Sequence, residues 1–66
     1  MDDLEIRILA LRTAVEAMPD CVERTIAARA LAQARGLLSR DYLSAADAYY
    51  RALRVMQRAN EERKAS

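Results

Sequence analysis

The chain lacks histidine, tryptophan and phenylalanine, and it has one cysteine, one proline, one glycine and one lysine. Each shortage closes a class of chemistry. Without histidine there is no Ser-His-Asp set and no imidazole metal site. Cys21 alone cannot form an internal disulfide or a thiol metal site. One glycine leaves no Gly-rich phosphate loop, and one glycine with one proline is too little turn material for an all-β fold. No apolar run reaches the 18 residues of a membrane span. Carboxylates remain, but Asp2, Asp3 and Glu5 read as charge at a helix N-terminus, not as a calcium loop. The expectation is a protein that is not an enzyme and holds no cofactor or metal.

What is present is alanine and arginine. Fourteen residues are Ala, against eight Leu, three Ile, three Val and three Met. Alanine favours helix but buries little area, so this composition suits helices that approach closely. The expected class is all-α in a single domain covering residues 1–66. A chain of 66 residues buries only about 60% of the surface its unfolded form exposes. Small domains of this kind commonly need a staple, and with disulfide and metal removed, a second subunit or a partner protein is left. Net charge is +1, so no overall field draws the chain to nucleic acid, although residues 1–28 sum to −3 and residues 29–66 to +4. The ratio of ten Arg to one Lys reflects GC-rich coding as much as function. The acidic start has no signal-peptide n-region, which makes a cytoplasmic protein the expectation.

Periodicity predicts three helices. The first covers about 3–18, with Leu4, Ile8, Leu11, Val15 and Met18 at 4-3-4-3, a heptad-type seam widened by Ile6 and Leu9. Pro19 disfavours helical geometry at Met18. Asp20, three residues before Glu23, makes a capping-box pattern that starts the second helix, about 21–38. A kinked continuous helix is the competing reading, because Val22 keeps the spacing going. The second helix places Ile26, Ala27, Ala30, Leu31, Ala34, Leu37 and Leu38 on its apolar side. Gly36 there either weakens the last turn or permits close backbone contact. Ser39 or Asp41 can cap the third helix, about 41–63, whose seam is Tyr42, Ala46, Tyr49, Leu53 and Met56. Residues 61–66 form a frayed polar tail. The short turn between the second and third helices predicts an antiparallel hairpin. The first helix then either folds back onto it or extends to another chain.

All three tyrosines lie between Arg40 and Met56. Tyr42 and Tyr49 read as core aromatics filling the space that alanines leave, and Tyr50 as an exposed interface anchor beside Arg51 and Arg54. The segment "DYLSAADAYYRAL" resembles the second helix of a tetratricopeptide repeat, with Tyr42, Ala45, Tyr49, Ala52 and Leu53 in register. It is similar also to the "Y..A...Y..A" pattern of microtubule-interacting and transport domains, which are three-helix bundles. The resemblance spans about 12 residues and implies a helical hairpin packed by small residues and aromatics. The repeat's first-helix positions fall on Gln33 and Gly36, and its closing proline position is Gln57. In size and architecture alone the chain also resembles small partner subunits of type III secretion needle chaperones.

The leading expectation is a small protein–protein interaction module, an adaptor or chaperone-like subunit, that packs a helix face on itself or on an unlike helical partner. Its interface seam is expected at Leu4, Ile8, Leu11, Val15, Tyr42, Tyr49, Leu53 and Met56. Its partner-facing edge is expected at Tyr50, Arg51, Arg54 and Arg58. The alternative is a small nucleic-acid-binding regulator using Arg51, Arg54 and Arg58 at i, i+3, i+7, with Arg35 and Arg40 extending the patch. A membrane surface suits the chain poorly, since it has one Lys and no Trp.

Overall fold

A computed structural model describes residues 2–65 of the chain. It is a small helical bundle: α1 is Asp3–Glu16, α2 is Val22–Leu37 and α3 is Tyr42–Ala65. No strand occurs among the described residues. The body measures 40 × 18 × 16 Å. A helix of 24 residues is about 36 Å long at 1.5 Å per residue, so α3 spans nearly the whole length.

The breaks follow local chemistry. α1 closes at Glu16, two residues before the expected end, with Ala17 as its C-cap. Pro19 keeps the chain from continuing, because its ring crowds the residue before it. Arg24 of α2 reaches back and donates to the Val15 and Glu16 carbonyls at 3.3 and 3.4 Å. It thereby supplies a partner for the Glu16 carbonyl and a second donor for the Val15 carbonyl, which also accepts from the Met18 N–H at 3.1 Å. α2 starts one residue later than the capping box predicts. Cys21, with φ −160° and ψ 169°, is the N-cap residue, and no side-chain cap bond forms there. Asp20 therefore stands outside the helix, and the expectation that it caps α2 is corrected. Asp41 does cap α3: its carboxylate accepts from the Ser44 backbone N–H at 3.2 Å and from the Ser44 hydroxyl at 2.7 Å. These two bonds hold its carboxyl below its ordinary acidity range, the hydroxyl bond contributing most.

The core has two textures. Between α2 and α3, which share the largest contact of the fold, it is alanine: Ala27, Ala30 and Ala34 on one side, Ala45, Ala48, Ala52 and Ala59 on the other, all buried. The larger buried side chains come mostly from α1 and the turn after it, namely Leu4, Ile8, Leu11, Val15 and Met18, with only Leu31 and Tyr49 from the other two helices. Ile8 is the largest side chain that is fully buried. Burying a Leu, Ile or Val is worth about 1.5–3 kcal/mol each. The docking of α1 therefore supplies most of the apolar stabilisation that the alanine interface cannot. The choice left open for the first helix is thus settled: it folds onto its own chain. Tyr42, at the start of α3, lies close enough to the start of α1 to feel Asp2 and Asp3. Loss of solvent pushes its phenol upward, and the two carboxylates push the same way.

The polar segment after Asn60 continues α3 to Ala65, with Glu61, Glu62, Arg63 and Lys64 exposed. Gly36 makes no close approach, since a Cβ added there meets nothing within 4 Å.

Candidate functional site

α3 carries two interleaved stripes. The first, Tyr42, Ala46, Tyr49, Leu53 and Met56, is the seam read from the sequence, and the structure turns only part of it inward. Tyr49 is buried at 8% exposure, Ala46, Leu53 and Met56 are half-buried, and Tyr42 is 48% exposed. The expectation that Tyr42 is a core aromatic is corrected. Its position at the first turn of α3 lies at the edge of the α1 contact, where Asp2 and Asp3 keep the neighbourhood polar.

The second stripe runs one position round the helix: Leu43, Ala46, Tyr50, Leu53 and Gln57, spaced 3-4-3-4. Leu43 is 81% exposed and Tyr50 is 49% exposed. Leu43 was missed in the sequence because the 4-3 count begins at Tyr42. Counting from Leu43 gives an equally regular stripe, which was the available signal. Tyr50 stands where the sequence reading put it, on the outside. Its ring packs edge-on against Tyr49, with centroids 5.2 Å apart and planes at 70°. Tyr49 is fixed in the core, so the exposed Tyr50 ring is braced from below, which reduces the freedom it would lose on binding.

Charged groups border this face. Arg51, Arg54 and Arg58 are all exposed. Arg51 pairs with Asp47 at 3.4 Å, an exposed i,i+4 pair worth a few tenths of a kcal/mol. Arg35 lies elsewhere: it lines a groove of about 550 Å³ between α1 and α2, together with Arg12, Glu16, Leu9, Leu31 and Gly36. The groove exists because Ala28, Ala32 and Gly36 leave its α2 wall low. Arg12 and Glu16 pair with each other along its α1 rim at 2.9 Å.

The α1 part of the expected seam, Leu4, Ile8, Leu11 and Val15, is buried within the chain's own core. Ile26, expected on the apolar side of α2, is 46% exposed, and Val22 beside it is exposed too. Among the described residues no group of His, Cys, Asp and Glu is placed to hold a metal ion, and no helix is long and apolar enough to cross a membrane. Cys21 is half-buried and packs against the core.

Fold and surface together define a small three-helix bundle with an apolar face left open on its longest helix. No protein-family model, no curated protein and no solved structure matches this chain.

Proposed function

We propose that the protein is a small non-catalytic protein–protein interaction module, an adaptor or chaperone-like subunit. In this reading α2 and α3 form an antiparallel hairpin, α1 closes one side of it, and the outer face of α3 is offered to another helix. One observation carries it: Tyr42, Leu43 and Tyr50 are exposed together on α3 beside the half-buried Leu53. Such an aromatic and aliphatic face rimmed by arginine has the make-up of an interface hot spot. The α1 seam serves the interior, so the binding residues reduce to Tyr42, Leu43, Tyr50 and Leu53, with Arg51, Arg54 and Arg58 at the rim.

The test is Leu43→Asp. Leu43 is 81% exposed, so the fold should hold, with stability unchanged to within about 0.5 kcal/mol. Association, with itself or with a protein that co-purifies with it, should be lost, because an unpaired charge would enter an apolar contact. A variant that associates as the wild type does would remove this face from the function. A second reading, a nucleic-acid-binding regulator, draws on the exposure of Arg54 and Arg58, which have no acidic partner among the described residues. It requires retention on DNA or RNA that weakens steeply with salt.

A further inference from the structure

If the outer face of α3 is an interface, as read above, its own pattern says what covers it. The stripe Leu43, Ala46, Tyr50, Leu53 has heptad spacing, and large and small residues are ordered along it. Laid on a reversed copy of itself, centred near Ala48, Leu43 meets Leu53 of the other copy. In the same arrangement Ala46, the smallest, meets Tyr50, the largest, and each layer occurs twice. Laid on a parallel copy, Tyr50 meets Tyr50 and Ala46 meets Ala46, one layer crowded and the next empty.

The charges beside the stripe point the same way. Asp47 and Arg51 form an exposed ion pair at 3.4 Å at the midpoint of the apolar segment. In the reversed arrangement two such pairs lie side by side in opposite order. Each carboxylate then falls about two residues, or roughly 3 Å along the axis, from the guanidinium position of the other copy. In the parallel arrangement the two pairs fall on opposite sides of the interface and do not meet. Size order and charge order are both self-complementary in one orientation only.

We propose that a second copy of this chain covers the face, α3 packed antiparallel on α3, giving a two-fold symmetric dimer of the kind most soluble oligomers adopt. A standard interface takes about 800 Å² from each partner, roughly one-sixth of the 4675 Å² surface of this chain. One helical face reaches the lower part of that range, so the dimer is expected to dissociate on dilution.

The experiment joins solution mass with one distance. Light scattering over a concentration series should show a monomer–dimer equilibrium that Leu43→Asp shifts at least tenfold toward monomer. Spin labels at Gln57→Cys, in a Cys21→Ser background, should then sit about 27 Å apart along the axis in the dimer. Labels within about 15 Å would mean parallel pairing, and about 17 Å or about 38 Å a register one heptad away in either direction. Either would overturn the proposed arrangement while leaving the face an interface. A wild type that stays monomeric at millimolar concentration overturns self-pairing and leaves the face to an unlike protein. A dimer indifferent to Leu43→Asp overturns both the self-pairing and the use of this face.

Discussion

Gly36 offers a sharp test of the packing, and indirectly of the groove it lines. The residue sits in the last full turn of α2, and its φ is not positive. A Cβ built on it meets nothing within 4 Å. None of the structural reasons for glycine therefore applies, and its cost in a helix, about 1 kcal/mol relative to alanine, should be recoverable. The position is one residue from the helix end, where the gain is smaller, so Gly36→Ala should stabilise by about 0.5–1 kcal/mol. For a domain of this size that is roughly 2–8 °C in Tm. Thermal melts followed by circular dichroism at 222 nm, with a urea titration beside them, measure it. Unchanged m with a raised midpoint is the expected result. A lower Tm would refute the reasoning, because it would mean that the space beside Gly36 is occupied in solution. If that loss also grew with protein concentration, the occupant would be another copy docked in the α1–α2 groove.

Two further perturbations test the interior and the cap. Ala52, fully buried in the small-residue interface, has no room for a longer side chain, so Ala52→Leu should cost about 1–3 kcal/mol by forcing α2 and α3 apart. A melt unchanged by that variant would show the interface to be looser than described. Asp41, whose folded pKa lies below its ordinary 3.8, stabilises α3 above that value, and the contribution is lost as pH falls through the lowered folded value. The Tm gap between wild type and Asp41→Asn should be constant at neutral pH and shrink in acid. A gap that persists unchanged at about pH 2 would show that the carboxylate charge is not what the cap uses.

Much of this fold was legible because helix periodicity is a local property. Pro19 marked the first break, Asp41 was one of two caps named for α3, and the Leu4, Ile8, Leu11, Val15 stripe identified the buried side of α1. The errors arise where tertiary placement decides between equivalent local patterns. Asp20 and Glu23 satisfy a capping-box spacing, yet the chain is extended through Cys21 and the cap falls one residue later. Arg24 had no local signal, since its acceptors are carbonyls 8 and 9 residues away, brought close by the turn around Pro19.

The candidate face shows the same limit more sharply. Along α3 the stripes starting at Tyr42 and at Leu43 share Ala46 and Leu53 and are equally regular. Nothing in their spacing says which one faces inward. What decides is alanine on the opposite side: Ala45, Ala48, Ala52 and Ala59 form the true centre of the buried surface. Small residues let α2 approach so closely that the interface becomes narrow. A narrow interface covers one flank of the tyrosine stripe and leaves the other in solvent. Tyr49 goes in, Tyr50 stays out, and Leu53 sits on the border. The alanines that let so short a chain close its helices are thus also the reason an apolar face remains open. Replacing Leu53 with Asp should therefore damage both properties at once, lowering Tm and removing association, whereas Leu43→Asp should remove association alone. Loss of association in both variants, with loss of stability in only the first, is the pattern this geometry demands. Equal destabilisation by the two would mean that Leu43 is covered within its own chain.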